Sequence, residues 1–345
     1  MHRLSSPSSD PTFIFELYRG SYGSELLNAA VSHFGVFRLL AQKPLNFEDL
    51  RQALKLEQRP AIVLITALRA MQLLQTNASG QFELTIAAAE HLVDGGEFDV
   101  GNYLGLSATS PGVLEIVERL RTNRPAGLDG GGAAFIYRDG MKSAMEQRNL
   151  AEHFTLALSG RAKNVAPVLA DRISMQGAKT LLDVGAGTGI YSIAFLRANP
   201  SLTAIALDRP EVLKTALQFA TEYGVHERLQ MCAADMFVDP FPSADVILLS
   251  NILHDWDIPD CRALINRCAA ALNPGGKLII HDVLLNDDLD GPLSIALYSA
   301  SLFSFTEGRA YSLAEYKGWL SEAGLIPEPP VETLVHCFAI PATRN

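Results

Sequence analysis

The sequence predicts a doubly wound α/β domain that follows a mostly helical N-terminal region. From residue 180 onward, short apolar segments alternate regularly with segments of helical periodicity, as in parallel strands joined by crossover helices. The first apolar segment runs into three alternating glycines and then into a helical pattern. Strand, glycine turn and helix form the start of such a sheet, and ligands bind beyond the carboxyl end of its first strand.

The same alternation gives approximate bounds for each element. Strands are predicted at residues 180–185, 203–208, 229–234, 244–250 and 276–283, with a final strand or hairpin at 331–340. Helices are predicted at residues 188–198, 211–223, 258–272 and 312–323. We therefore assign residues 171–345 to one ligand-binding domain.

The N-terminal region has the outline of a winged helix. Residues 1–11 are polar and predict a disordered tail. Within a domain assigned to residues 12–110, three helical segments precede a break at Gly80 and a short strand at 81–85. Residues 111–170 are expected to form linking helices that contribute to a ligand pocket.

A winged helix can bind DNA, so a DNA-binding regulator is a second hypothesis. The formal net charge of −10 argues against nucleic acid and against acidic membranes. The candidate recognition helix, residues 60–74, is mostly apolar, whereas a DNA-reading helix needs a basic and polar face. We therefore interpret this domain as a packing and dimerisation domain.

Composition limits the other classes of protein. The chain has 345 residues, 48% of them hydrophobic and 19% charged, which is enough apolar material for a sizeable core. The four cysteines show no metal-ligand spacing, so no metal is expected. The polar N-terminus and the lack of a long apolar segment predict neither a signal peptide nor a membrane span. A cytoplasmic location is the resulting expectation.

The glycine turn predicts the ligand. It reads Asp183-x-Gly185-x-Gly187-x-Gly189, with an acid before the glycines. A carboxylate there would repel a pyrophosphate but suits the cationic end of an amino acid. Asp208 closes the next strand, where an acid can hold ribose hydroxyls. A ligand with a ribose, a cationic tail and no phosphates is S-adenosylmethionine (SAM).

Two further strand ends carry candidate site residues. Asp235, Met236 and Phe237 follow the third strand, where a carboxylate can accept from the adenine amino group and apolar side chains can cover the base. His254 follows the fourth strand, which should lie beside the first one, and Asp282 closes the fifth. Asp282 could orient His254 in an acid–base pair, while its neighbour His281 should point to the opposite face.

Five motifs in this order resemble those of the class I SAM-dependent methyltransferases. They are DVGAGTG (183–189), LDRP (207–210), ADMF (234–237), ILHDW (252–256) and NPGGKLII (273–280). They are more narrowly similar to the small-molecule O-methyltransferases typified by caffeate, hydroxyindole and bacterial polyketide enzymes. The resemblance implies a SAM-dependent enzyme of secondary metabolism with S-adenosylhomocysteine as product. It also implies a homodimer whose N-terminal helices help to close the partner's pocket.

The resemblance also implies roles for individual residues. It makes His254 the general base, Asp282 an acid that supports it, and Ser250 a cofactor contact together with Gly187, Asp208, Asp235 and Met236. For the small-molecule acceptor, the candidate contacts are Tyr137, Arg138, Met141, Met145 and Phe303.

The chain departs from the family at one supporting position. Members often carry a second glutamate there in a Gly-Arg-Glu-Arg-Thr stretch, where this sequence has Ala310. A phenol of pKa about 10 needs roughly 4 kcal/mol to ionise at pH 7, so a hydroxyl acceptor requires a base. A thioether requires none, and positioning alone can supply roughly 7–11 kcal/mol. Because the motifs resemble those of O-methyltransferases, O-methylation is preferred. The missing glutamate is compatible with S-methylation of a small carboxylate-bearing thioether or thiol, which is the first alternative. A SAM-binding regulator or a non-methylating SAM enzyme is the second.

Overall fold

The computed structural model describes residues 4–124 and 148–344, and for residues 148–154 the backbone alone. In the first segment the elements are α1 (Thr12–Arg19), α2 (Gly23–Asn28), α3 (Val36–Gln42), α4 (Phe47–Leu54), α5 (Gln58–Ala70), β1 (Leu74–Thr76), β2 (Phe82–Leu84), α6 (Ile86–His91), α7 (Gly101–Leu104) and α8 (Pro111–Thr122).

The second segment contains the predicted alternation of strands and helices. Its elements are α9 (Arg148–Arg172), β3 (Thr180–Val184), α10 (Ile190–Ala198), β4 (Thr203–Asp208), α11 (Pro210–Glu222), β5 (Leu229–Ala233), β6 (Ala244–Ser250), α12 (Ile258–Ala271), β7 (Leu272–Leu285), α13 (Leu293–Phe305), β8 (Tyr311–Ser312), α14 (Leu313–Glu322), β9 (Leu325–Pro327), β10 (Val331–Glu332) and β11 (Cys337–Arg344). The predicted elements of this segment are confirmed, most of them to within two residues. The fifth strand, β7, is longer than the predicted 276–283.

The chain divides into two compact units. Residues 1–15, 135–284 and 313–345 form the first, and residues 16–134 and 285–312 form the second. This division differs from the one expected from sequence, which placed residues 285–312 with the ligand-binding domain. The reason is α13, whose Leu297, Ala300 and Phe303 belong to the apolar core of the second unit.

The first unit is built on a mixed sheet with strand order β10-β11-β7-β6-β3-β4-β5. Strands β3 to β7 are parallel to their neighbours in this group, and β11 is antiparallel to β7. Because β3 pairs with β4 on one side and β6 on the other, the strand order reverses at β3. That reversal opens the crevice in which ligands of doubly wound sheets bind.

The second unit contains helices α2 to α8, helix α13 and a two-stranded antiparallel sheet. The side chain of Asn46 accepts a hydrogen bond from the backbone N–H of Asp49 and so caps the N-terminus of α4. Helices α4 and α5 are followed by β1 and β2, with Leu74 opposite Leu84. Three helices and a two-stranded wing agree with the expected outline, and the assignment as a winged helix remains a prediction. Within the described residues, no helix is both long and apolar enough to cross a membrane.

Candidate active site

The glycine turn begins where β3 ends and is held by the neighbouring strand. The backbone N–H groups of Gly185 and Ala186 both donate to the carbonyl of Leu207, at the end of β4. Gly185, Gly187 and Gly189 all have positive φ angles, of 70°, 56° and 69°. A Cβ at Gly185 would approach Cδ1 of Ile252 to 2.4 Å, whereas nothing lies within 4 Å of a Cβ placed at Gly187. The turn therefore packs closely on one side and leaves space at its middle glycine.

Asp208 and the turn are joined directly. Its Oδ2 accepts from the backbone N–H of Gly187 at 2.8 Å, and its Oδ1 accepts from that of Arg209 at 2.7 Å. Burial raises the pKa of this carboxyl against the effect of those two donors. Each carboxylate oxygen can accept more than one hydrogen bond, so the group can still receive hydroxyl donors.

Asp183 lies inside the first unit, with only 2% of its surface exposed. Ser192, in the first turn of α10, donates its hydroxyl to Oδ2 of Asp183 at 2.7 Å. Burial raises the pKa of Asp183 to about 6, although the hydrogen bond from Ser192 lowers it. A carboxyl group that titrates near neutrality is thus held beside the glycine turn.

The predicted adenine-contact segment is a tight turn after β5. Oδ1 of Asp235 accepts from the backbone N–H of Phe237 at 2.8 Å, and the backbone N–H of Asp235 donates to Oδ2 of Asp239. Arg267 donates to the carbonyl of Met236. The ring of Phe237 packs edge-on against Trp256, with centroids 4.6 Å apart. The structure therefore links this turn to the ILHDW motif.

His254 sits in a single 3₁₀ turn after β6, spanning Leu253–Asp255. Leu253 and Trp256 are buried on either side, and the single thiol proton of Cys261 is within reach of both of their carbonyls, at 3.2 and 3.3 Å from the sulfur. Asp257 begins α12 by accepting from the backbone N–H of Ile258. These anchors fix the backbone on both sides of the histidine.

Nδ1 of His254 lies 2.5 Å from Oδ1 of Asp282, and both residues are buried. Because Nδ1 donates its proton to the carboxylate, Nε2 is the basic nitrogen. Burial opposes the charged imidazolium, but Asp282 and then Asp255 outweigh it and raise the pKa of His254. Oδ1 of Asp255 is 3.7 Å from Nε2. The imidazole therefore lies between two carboxylates, an arrangement that favours taking up a proton.

His281 points away from this pair, as the strand alternation predicts. Its Nε2 is 3.0 Å from Oγ1 of Thr333, whose own hydroxyl donates to the carbonyl of Cys337. Thr333 can then only accept, so Nε2 of His281 carries the proton and Nδ1 is an acceptor. The hydroxyl of Ser250, 2.8 Å from Nδ1, must donate to it. Burial lowers the pKa of His281 to about 3, which keeps the ring neutral.

This chain of hydrogen bonds also orients Asn251, which the sequence analysis did not select. Because the hydroxyl of Ser250 already donates to His281, it accepts from Nδ2 of Asn251 at 3.0 Å. The second Nδ2 proton is directed at the hydroxyl of Tyr191, at 3.2 Å. Oδ1 of Asn251 is buried and accepts no hydrogen bond from any residue within 4–124 or 148–344. A fixed acceptor thus stands at the end of β6, beside the glycine turn.

Tyr316 is a second residue that the sequence analysis missed. It lies on α14 with no exposed surface, and its hydroxyl donates to Oδ2 of Asp282 at 3.1 Å. Spacing could not reveal this contact, because 34 residues separate the two side chains. Asn251, in contrast, follows Ser250 at a strand end and could have been found from that position.

The predicted acceptor contacts are not brought together in the described part of the chain. Tyr137, Arg138, Met141 and Met145 lie outside the described residues. Phe303 is fully buried in the second unit, with the guanidinium groups of Arg59 and Arg119 at 5.3 and 4.5 Å from its ring centroid. Phe303 is a core residue here, and its contact with an acceptor remains a prediction.

Comparison with known proteins assigns the chain to a family. The sequence model of the O-methyltransferase domain matches residues 130–326. The chain belongs to the O-methyltransferase family. It is 34% identical over 317 residues to 3-hydroxy-5-methyl-1-naphthoate 3-O-methyltransferase of Streptomyces sahachiroi, covering 91% of this chain and 89% of that enzyme. It is 30% identical to the tetracenomycin polyketide 8-O-methyltransferase TcmO of Streptomyces glaucescens, covering 91% of each chain.

A solved structure shows the same relationship. The O-methyltransferase family 2 protein of Planctomyces limnophilus, in complex with apigenin, is 45% identical to this chain and superposes with a TM-score of 0.91. The match covers 99% of this chain and 98% of that one. This O-methyltransferase is accordingly a SAM-dependent methyltransferase with the class I fold.

The cofactor fits the residues present in this O-methyltransferase. The open space at Gly187 admits a ligand close to the backbone, and Asp208 retains lone pairs for hydroxyl donors. The buried Oδ1 of Asn251 requires a donor, which the ammonium group of SAM can provide. Among the described residues, no group of three or more metal-ligand side chains is arranged to hold a metal ion.

Proposed function

We propose that the protein O-methylates a hydroxyl group on a small aromatic acceptor, with His254 as the general base. The observation that carries this proposal is the buried pair of His254 and Asp282 at the carboxyl ends of β6 and β7. The glycine turn ends β3, the strand next to β6. A base beside the cofactor crevice is what transfer to a hydroxyl requires.

The proton has a defined route in this proposal. The acceptor hydroxyl gives its proton to Nε2 of His254 as its oxygen takes up the methyl group. Asp282 and Asp255 stabilise the imidazolium ion that results. Ionising a phenol at pH 7 requires roughly 4 kcal/mol, and a positioned base of this kind contributes about 10²- to 10⁴-fold to the rate.

The residues that would hold the cofactor lie on four neighbouring strand ends. We propose that Asp208 accepts from the ribose hydroxyls, that Asp235 accepts from the adenine amino group, and that Met236 and Phe237 cover the base. Asp183, Gly185, Gly187, Gly189 and Ser250 complete the site. When bound, SAM supplies an electrophilic methyl group on a sulfonium and leaves as S-adenosylhomocysteine.

The acceptor class is proposed from two relatives. One of them is named for a hydroxynaphthoate, and the solved structure holds the flavone apigenin. Both molecules are flat aromatic compounds with phenolic hydroxyls. Tyr137, Arg138, Met141, Met145 and Phe303 remain the proposed acceptor contacts.

S-methylation of a small thioether or thiol is retained as a second candidate because of Ala310. This residue stands where the resemblance implies a supporting glutamate, and its methyl side chain cannot assist a base. A sulfur nucleophile would need positioning and no proton removal. The two candidates differ in whether turnover depends on His254.

Homodimer formation in the cytoplasm remains part of the proposal. Large apolar side chains on α1 are exposed, among them Phe13, Leu17 and Tyr18 at 62%, 77% and 75%. Exposed apolar groups of this size support a protein interface. Sedimentation equilibrium should give twice the monomer mass of 37.4 kDa, and a single 37.4 kDa species would contradict the dimer.

The function is tested by transfer of labelled methyl from SAM into a mixed panel of acceptors. The panel contains apigenin, hydroxynaphthoates, aromatic amines, thiols and carboxylated thioethers, and each product is identified by mass. We expect label on a phenolic oxygen. His254→Gln should reduce that transfer about 10²-fold or more, while the Kd for SAM stays within about twofold. Label on sulfur, with transfer retained in His254→Gln, would mean that positioning accounts for the transfer and that His254 does not act as a base.

A further inference from the structure

Among the residues that the structure describes, three donors hold the carboxylate of Asp282. Its Oδ1 accepts from Nδ1 of His254. The same oxygen also accepts from the backbone N–H of Val283, at 2.8 Å. Its Oδ2 accepts from the hydroxyl of Tyr316 at 3.1 Å. The first two donors share one oxygen and leave the other end of the carboxylate to Tyr316. The hydroxyl of Tyr316 therefore restrains the end of the carboxylate that the other two donors do not hold.

Tyr316 is itself fixed in position by packing. With Trp319 and Leu320 it forms the buried side of α14, at the spacing of one helix face. Its ring meets that of Trp319 edge-on, with centroids 5.5 Å apart and planes at 88°. Both rings are buried, so the hydroxyl meets Asp282 inside the core of the first unit. A phenylalanine keeps the ring and removes only the hydroxyl, so Tyr316→Phe isolates the hydrogen bond to Asp282.

We propose that Tyr316 is a positioning residue for methyl transfer, one that fixes the Asp282 carboxylate so that it in turn fixes His254. The inference rests on the proposed function, because His254 matters as a base only if the acceptor loses a proton. The side chain at Ala310 cannot give the support that a glutamate would give there. The neutral hydroxyl of Tyr316 supports Asp282 without adding a further negative charge to a site that already has Asp255 and Asp282.

The direction of the effect follows from charge. A hydroxyl that donates to Oδ2 takes up part of the negative charge of Asp282. Without it the carboxylate attracts the imidazolium more strongly, and the pKa of His254 rises. The other charged groups that act on His254 are Asp255, which raises its pKa, and Arg161, which lowers it. Tyr316→Phe leaves the charges of Asp282, Asp255 and Arg161 in place.

The experiment titrates His254 by NMR in wild type, Tyr316→Phe and the control Tyr223→Phe, which removes a hydroxyl from another buried tyrosine of the first unit. His254 is identified among the eight histidines by the signal missing from His254→Gln. We expect the pKa to rise by about half a unit to one unit in Tyr316→Phe alone. With a phenolic acceptor such as apigenin, the acid limb of kcat/KM should move to higher pH by the same amount. We also expect kcat to fall about threefold to tenfold, with the Kd for SAM unchanged.

Two results would overturn the inference. One is a titration of His254 in Tyr316→Phe that superimposes on wild type. The other is an equal shift in Tyr223→Phe, which would indicate a general effect of losing a buried hydroxyl. The NMR titration needs no turnover, so it separates failure of this inference from failure of the proposed function. The function fails when wild type transfers no methyl group to any member of the panel.

Discussion

Oδ1 of Asp282 lies 2.5 Å from Nδ1 of His254, and neither side chain has more than 5% of its surface exposed. At that distance and depth the charge of Asp282 acts on the imidazole with little screening by water. The carboxylate selects the tautomer that leaves Nε2 basic, and it would stabilise the charged ring in the proposed proton transfer.

Asp282→Asn is therefore expected to reduce kcat for a phenolic acceptor about 10²-fold or more, because the amide cannot stabilise the imidazolium ion. The Kd for SAM should stay within about twofold. Steady-state rates and calorimetric binding measure the two quantities. Asp245→Asn is the matched control, since Asp245 lies at the opposite end of β6 and accepts backbone N–H bonds there. Equal rates in the two variants would remove Asp282 from the mechanism.

Asp183 should make the binding of SAM dependent on pH. Burial raises its pKa to about 6, and a cationic ligand end binds best to the ionised carboxylate. Below pH 6 the carboxyl must first release a proton, so affinity should fall by up to about tenfold per pH unit. Calorimetry between pH 5 and 8 should show this in wild type but not in Asp183→Asn. A flat profile in wild type would show that Asp183 is not coupled to the ligand.

Asn251→Ala should weaken the binding of SAM about tenfold or more, because it removes the buried Oδ1 that can accept from the charged ammonium group. The variant should bind 5′-methylthioadenosine, which lacks the amino-acid end, as wild type does. Asn199→Ala, in which a half-buried asparagine loses a bond to the carbonyl of Phe195, controls for the substitution itself. An equal loss for both ligands would mean that Asn251 supports the fold and does not contact the ammonium group.

His281 should make the protein sensitive to acid. Its pKa is about 3 in the folded protein and about 6.5 when unfolded, so between these values only the unfolded chain takes up the proton. The contribution of His281 to the free energy of unfolding should therefore fall by about 1.4 kcal/mol for each pH unit from 6.5 down to 3.

The measurement is the difference between wild type and His281→Gln in urea unfolding at several pH values. Taking the difference removes the opposing contributions of Asp183 and Asp255, whose pKa values are raised by burial. The advantage of wild type over the variant should shrink as the pH falls. A constant difference between wild type and His281→Gln would contradict the prediction.

The sequence predicted what depends on local pattern. The alternation along β7 correctly places His281 and Asp282 on opposite faces. It did not predict α13, which is buried around most of its surface and therefore lacks the apolar and polar faces that identify a helix. The contact between Tyr316 and Asp282 was equally inaccessible, because it depends on how α14 packs.

The membership of α13 restricts how this enzyme can exchange parts with its relatives. Since residues 285–312 complete the compact unit that starts at residue 16, the chain passes from one unit to the other four times. A chimaera made by a single crossover near residue 110 or 170 would join a foreign N-terminal half to a native α13. Recombination that preserves both cores has to replace two separate segments together.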